Sequence, residues 1–279
     1  MLSRGDERSI AAHASDSVVI AHAPDGTRLH FVSEGSGPPI LLLGGKTSTI
    51  QSAWWRYLPV LSRSMRIVAM DNRGAGASEK PDRPYTTETM ASDAFAVLDA
   101  AGEHSAHWFG ISLGGMITQQ AALMRHERLR SLILCATHCG GPERIVPLND
   151  ADRRALAGRR FQRLANLYAR SFLVDHGDWV AEDVAHFGKM PLFAIHRQDQ
   201  AVRGHMTCDR LEEVALPALI LHGRQDRMVP VERAEEMHRL LPNSRLRIFD
   251  PAGHQVHSEQ FEAVVRTVVD FVRGVEAGR

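Results

Sequence analysis

Five residues, Gly110-Ile111-Ser112-Leu113-Gly114, constrain the fold more than anything else in the chain. They follow an apolar run, Ala106 to Gly110, and lead into an alanine-rich apolar segment that reads as a helix to about Arg125. A G-x-S-x-G pattern between strand and helix asks the serine for a strained backbone on a sharp turn. It asks for glycine on either side because side chains there would collide with the neighbouring strand and helix. Such a turn lifts the serine hydroxyl above the edge of a sheet, so the rest of the chain has to supply that sheet.

Short apolar runs alternating with helical periodicity do so, in the pattern of βαβ units around a parallel sheet. The expected strands are Ser17 to Ala23, Thr27 to Ser33, Pro39 to Leu43, Arg66 to Met70, Ala106 to Gly110, Leu129 to Ala136, Ala218 to His222 and Leu246 to Phe249. Pro24-Asp25-Gly26 between the first two is a hairpin turn, so the sheet opens with an antiparallel pair and continues parallel. Met90, Ala94, Val97, Leu98 and Ala101 form one apolar helical stripe, and Phe261, Val264, Val265, Val268, Val269 and Val272 form another. The expectation is an α/β fold with a mostly parallel eight-stranded sheet flanked by helices.

Between Gly140 and Leu211 the strand rhythm stops, and helical stretches run around Asp150 to Phe172 and Asp178 to Phe187. A segment of about 70 residues without an obvious complete core reads as an insertion rather than an independent domain. The organisation is therefore core 16–139, helical lid 140–211 and core 212–279. The lid aromatics Phe161, Tyr168, Phe172, Trp179, Phe187 and Phe193 would share a small core, with some of them facing a pocket.

Lysine plus arginine and aspartate plus glutamate number 33 each, so no net positive field marks a nucleic-acid or anionic-membrane partner. No apolar run reaches the roughly 18 residues of a membrane span, and the first twenty residues lack the apolar stretch of a secretory signal. The three cysteines, Cys135, Cys139 and Cys208, are an odd count without metal-site spacing. The reading is a cytoplasmic protein in a reducing compartment, with neither a disulfide framework nor a zinc site.

A serine hydroxyl attacks only when a base takes its proton and a carboxylate holds that base in the right tautomer. In open α/β sheets such groups collect in loops at the carboxyl ends of strands. After the last strand stand His254 and His257; Gly253 permits the sharp turn that swings His254 over the sheet, while His257 reads as a solvated or capping residue. After the strand Ala218 to His222, Asp226 is the carboxylate of the loop. Its competing reading is an Asx turn or a cap for the helix near Val231, and Asp250 and Glu143 are the weaker acid candidates.

The oxyanion donors are expected to be two backbone N–H groups, of Leu113 after the nucleophile and of Lys46 in Leu43-Gly44-Gly45-Lys46-Thr47-Ser48. The Lys46 side chain points either to solvent or to an anionic substrate group. Gly45, Trp179 and Phe187 are the candidate substrate-binding residues.

These motifs resemble the α/β-hydrolase superfamily over nearly the whole chain, in particular the branch of cofactor-independent haloperoxidase-like enzymes, enol-lactonases and small carboxylesterases, polyketide methylesterases included. The resemblance rests on the turn at Ser112, on Asp71-Asn72-Arg73-Gly74-Ala75-Gly76-Ala77-Ser78, on Tyr85 to Gly102, on Leu221-His222-Gly223 to Asp226, and on Ala252-Gly253-His254. It implies Ser112 as nucleophile, Asp226 as acid and His254 as base, and a structural role for the Asp71 turn. Many relatives carry His-Gly where this chain has Gly44-Gly45-Lys46.

The implied activity is hydrolysis of a small to medium carboxylic ester or lactone through an acyl-enzyme, with no metal or organic cofactor and the small molecule as partner. Carbon–carbon hydrolysis, thioester hydrolysis, perhydrolysis and a ligand-binding receptor are the alternatives. Serine at position 112 argues against epoxide hydrolases and haloalkane dehalogenases, which use aspartate there.

Overall fold

A computed structural model describes residues 19–141, 146–147, 149–158 and 162–278. The strands β1 (Val19–His22), β2 (Arg28–Glu34), β3 (Pro39–Leu43), β4 (Arg66–Met70), β5 (Ala106–Ile111), β6 (Leu129–Cys135), β7 (Ala218–Gly223) and β8 (Ser244–Phe249) form one sheet. Its order is β1-β2-β4-β3-β5-β6-β7-β8. The hairpin β1–β2 and the pair β2–β4 are antiparallel, and every pairing from β4 to β8 is parallel.

Helices cover both faces. They are α1 (Ile50–Trp54), α2 (Leu58–Leu61), α3 (Thr87–Ala100), α4 (Leu113–Met124), α5 (Asp150–Leu156), α6 (Arg170–Asp175), α7 (Gly177–Ala185), α8 (Leu192–Gly204), α9 (Val231–Leu240), α10 (Val256–Glu259) and α11 (Phe261–Glu276). Because side chains alternate along a strand, the central strands divide their residues between two cores. Leu41, Val68, Trp108, Leu134 and Ile220 face α3, α4 and α9. Leu42, Ala69, Phe109, Ile133 and Leu221 face α1 and α11, where the valine stripe of α11 is buried. Burial on both faces is why these strands read as continuous apolar runs.

Between β6 and β7 the helices α5 to α8 differ in detail from the expected stretches. Asp150 to Phe172 is not one helix: α5 ends at Leu156, a 3₁₀ turn covers Gln162–Leu164, and α6 begins at Arg170. Helix α8 went unforeseen because its buried stripe, Ala194, Gln198, Ala201 and Val202, contains a glutamine. Gln198 is fully buried, accepting from the Thr47 N–H at 2.8 Å and donating to the Arg73 carbonyl at 3.0 Å. A polar residue satisfied by distant partners looks like a solvent-facing one in the sequence. Of the aromatics named for this segment, Phe161 lies outside the described residues; Tyr168 is buried in a small cluster with Leu156, Leu173 and Val180, while Phe193 is exposed.

The cysteine reading needs correction. Cys139, just past β6, and Cys208, just before β7, form a disulfide with their Cα atoms 4.8 Å apart. Only Cys135, buried in β6, is free. The odd count concealed a pair because the insertion returns its far end to its near end, a contact that no local spacing reveals. The inference of a reducing compartment rested on thiol counting and loses that support. Among the described residues no helix is long and apolar enough to cross a membrane. The bridge closes a sequence separation of 69 residues, so the Cys139→Ser, Cys208→Ser double variant is expected to lose about 2–4 kcal/mol of stability, read from the guanidinium midpoint. A wild-type midpoint that does not respond to reductant would show that the bridge contributes nothing.

Candidate active site

Three chain segments far apart in sequence meet at the carboxyl edge of the sheet. Ser112 sits between β5 and α4 with φ 52° and ψ −113°, a backbone region that costs an L-residue strain. The turn is held from below: the Ser112 N–H donates to the Cys135 carbonyl at 2.8 Å, and the Thr137 hydroxyl donates to the Ser112 carbonyl at 2.8 Å. A Cβ at Gly110 would run into the Gly114 backbone, and one at Gly114 into the Leu43 carbonyl. Gly110 is thus required by contact across the turn, and Gly114 by the close approach of the end of β3.

His254 follows β8 and brings Nε2 to 3.2 Å from Ser112 Oγ and Nδ1 to 2.8 Å from Asp226 Oδ2. Asp226, in the loop after β7, is buried. Burial alone would raise its pKa, but the imidazoles of His254 and His222 outweigh it and hold the carboxyl well below the usual range. A carboxylate only accepts, so His254 Nδ1 carries the hydrogen and Nε2 is left to accept the serine proton.

Both readings of Asp226 hold at once. Its Oδ1 accepts the N–H groups of Met228 and Val229, each at 2.8 Å, as an Asx turn does, while Oδ2 faces the imidazole. Asp250 is instead exposed and paired with Arg224 at 3.4 Å, and Glu143 lies outside the described residues.

The loop after β3 lies against the serine, since a Cβ at Gly45 would stand 3.4 Å from Ser112 Cβ. Among the described residues neither the Lys46 nor the Leu113 N–H donates to an acceptor. The Thr47 N–H is taken by Gln198. The Lys46 side chain goes neither to open solvent nor to an unfilled anion site, because Nζ lies 2.8 Å from Asp199 Oδ1 on α8. The Asp71 turn braces this loop: Asp71 accepts from the Ile50 N–H at 2.7 Å and the Ala77 N–H at 2.9 Å, and Asn72 Nδ2 donates to the Gly44 carbonyl at 3.0 Å.

A cavity of about 260 Å³ opens over Ser112 and His254, with Gly45, Lys46 and Phe187 in its wall. Trp179 requires correction. It does not line this cavity; its Nε1–H donates to Ser258 Oγ at 2.9 Å and its ring lies 3.6 Å from the Arg56 guanidinium carbon. The cation–π stack with Arg56 and the bond to Ser258 together hold the ring.

His257 is not solvated either. It is buried in the cavity wall, and burial followed by the neighbouring His254 brings its imidazole down to about 3, so it is neutral. Two residues had no sequence signal. Glu259 accepts the Gly253 N–H at 2.8 Å and the Ala169 N–H at 3.0 Å, fixing the loop that carries His254. Burial raises it to about 7. His138, after β6, lines the cavity with a buried side chain.

This sheet order, with a serine turn after β5 and a histidine after β8, defines a class of protein. A family model described as the alpha/beta hydrolase fold matches residues 38–195 and 191–261, and the chain belongs to that family; fold and family define a hydrolase. The chain is 28% identical over 260 residues to 2-hydroxy-6-oxo-2,4-heptadienoate hydrolase of Pseudomonas putida, covering 88% of this chain and 92% of that one. A thermophilic esterase from Thermogutta terrifontis superposes with TM-score 0.79 at 25% identity, over 93% of this chain and 99% of the other. The enol-lactonase from Burkholderia xenovorans LB400 shares the fold at 23% identity and TM-score 0.79, over 91% and 99%.

Proposed function

We propose that the protein is a serine hydrolase that cleaves a small to medium carboxylic ester or lactone through an acyl-enzyme. The observation that carries this reading is the continuous chain from Ser112 Oγ through His254, at 3.2 Å and 2.8 Å, to Asp226 Oδ2. In it, His254 Nε2 takes the hydroxyl proton as Ser112 Oγ adds to the substrate carbonyl, and the Leu113 and Lys46 N–H groups receive the oxyanion. Collapse of the adduct breaks the acyl–oxygen bond, and His254 returns its proton to the departing alkoxide. Water, activated by the same imidazole, then frees the acid and restores the serine. A cavity of about 260 Å³ supports small substrates. The helices α5 to α8 serve as the lid in this reading.

One second reading has specific support. The Pseudomonas putida relative is named for hydrolysis of an oxo-dienoate, so the same serine and histidine acting on a carbon–carbon bond is the alternative. A screen of acetate, butyrate, lactone and thioester substrates beside a vinylogous 1,5-diketone separates them, with Ser112→Ala as the blank. Serine-dependent turnover confined to the diketone would replace the ester reading, and binding without turnover would make the chain a receptor.

The oxyanion assignment has its own test. Lys46→Ala keeps the N–H and removes the Asp199 pair; it is expected to lower ester turnover less than about threefold. Lys46→Pro deletes the N–H and is expected to cost about 10² to 10³ in kcat. A Pro variant that melts like wild type and turns over at near wild-type rate would move the second donor to Gly45, since Thr47 is already committed to Gln198.

A further inference from the structure

The loop after β3 turns its corner at a residue unsuited to it. The Ser48 N–H donates to the Gly45 carbonyl at 3.1 Å, closing a four-residue turn whose third position is Thr47, at φ 65°. That position favours glycine or asparagine, and a β-branched side chain there is strained. Left alone, the corner would relax by turning the Lys46–Thr47 peptide over and returning Thr47 to negative φ.

One side chain opposes that relaxation. Gln198, on α8, accepts the Thr47 N–H on Oε1 at 2.8 Å. The bond exists only while the Thr47 N–H faces α8, so it holds the peptide in its strained orientation. Gln198 itself cannot swing, because it is fully buried and its Nε2 donates to the Arg73 carbonyl at 3.0 Å. Arg73 is in turn buried against Asp93 at 2.6 Å. The orientation of the Gln198 amide is set by its partners, since a backbone N–H can only donate and a carbonyl can only accept.

The other polar contact between α8 and this turn acts less on the backbone. Lys46 Nζ lies 2.8 Å from Asp199 Oδ1, but the two side chains are 31% and 20% exposed. A partly exposed ion pair at the end of a long flexible stem leaves the main chain free to move. Gln198 is therefore the group that grips the peptide itself.

The turn matters to the chemistry because of what it carries. A Cβ at Gly45 would stand 3.4 Å from Ser112 Cβ, and Gly45, Lys46 and Thr47 line the cavity over the serine. The Lys46 N–H assigned to the oxyanion belongs to the second residue of this turn. Such a donor contributes fully only when it is aimed before the charge develops, and a turn that samples a second shape aims it part of the time.

We propose that Gln198 is a positioning residue for the oxyanion hole, its amide reaching from the inserted segment to hold the Gly45–Ser48 turn in the strained shape that aims the second oxyanion donor. This rests on the hydrolase reading above and names the residue through which the lid acts on the chemistry at Ser112.

The test is a double-mutant cycle. Gln198→Met keeps the length and removes both bonds; it is expected to lower kcat for a chromogenic butyrate about 10- to 100-fold, with KM changed less than about threefold. Binding of butyl trifluoromethyl ketone, whose adduct with Ser112 Oγ places an oxyanion in the same hole, should weaken by the factor lost in kcat/KM. In a Thr47→Gly background the corner is no longer strained, and the same Gln198→Met change is expected to cost less than about threefold. Gln198→Ala takes the place of the Met variant if the latter does not melt cooperatively.

An equally large loss with glycine at position 47 would overturn the proposal, leaving Gln198 as lid packing. So would a wild-type kcat in Gln198→Met, or a change confined to KM. The two readings fail separately. Wild-type ester turnover that is insensitive to Gln198 removes only this proposal. No ester turnover, with a ketone affinity that depends on Gln198 and is restored by Thr47→Gly, removes only the ester reading, and no ketone binding removes both.

Discussion

Ser112→Ala is expected to lower kcat for ester hydrolysis by about four to six orders of magnitude, with KM changed by no more than a few-fold. The chemistry has no other entry: without Oγ the carbonyl meets an imidazole 3.2 Å further back along the hydrogen bond, oriented to take a proton rather than to attack. The fold should survive, because alanine presents the same Cβ at φ 52° and the turn is held by backbone bonds to Cys135 and Thr137.

His254→Ala is expected to cost a similar factor, since a serine hydroxyl without its base is a poor nucleophile. Combining the two should add little, because either change alone abolishes the same step. Losses that multiplied in the double variant would show two independent contributions. Retention of more than about 1% of the rate in Ser112→Ala would remove the serine from the mechanism altogether. Single-turnover measurements on a chromogenic butyrate are the readout, since they separate acylation from deacylation.

What could be read from the residues in advance follows from how local each signal is. The strand runs Pro39 to Leu43 and Arg66 to Met70 match β3 and β4 to the residue, because buried parallel strands are continuous apolar runs bounded by polar turns. The start of β8 was harder: it begins at Ser244 rather than Leu246, although it ends at Phe249 as expected, since an edge strand alternating Arg245 and Arg247 with half-buried residues carries little apolar signal. Ser112, Asp226 and His254 were recognisable because each follows a strand, and strand ends in such a sheet converge on one edge.

The unread features all depend on contacts across the insertion. Gln198 was opaque until Thr47 and Arg73 were seen beside it, and Lys46 until Asp199 was. Cys139 needed Cys208. Trp179 looked like a substrate wall because aromatics in a variable segment often are, but Arg56, from a distant helix turn, claims its ring. His138 gave no sign at all: its buried place in the cavity wall depends on contacts with Gly140 and Gln119 that no local spacing reveals.

Asp226→Asn is the second large effect, expected to lower kcat by about 10⁴ with a cooperative fold retained. The amide oxygen can keep the loop by taking the place of Oδ1, which accepts the Met228 and Val229 N–H groups. The amide NH₂ then occupies the place of Oδ2, 2.8 Å from His254 Nδ1. Two donors cannot face each other, so Nδ1 becomes an acceptor and the ring hydrogen moves to Nε2, where it points at Ser112 and leaves no lone pair for the hydroxyl proton. The substitution thus acts on the tautomer rather than on the position of the ring, and the adjacent His222 cannot compensate while its Nε2 is bonded to the Val229 carbonyl at 2.8 Å. A ¹⁵N shift of the His254 imidazole reads the tautomer directly, beside the kinetics. A variant that shows the Nε2–H tautomer and a collapsed rate supports the assignment; one that keeps the wild-type tautomer and a rate within tenfold of wild type would free Asp226 for its loop role alone. The acid would then have to be sought beyond Asp250, whose exposed carboxylate already pairs with Arg224.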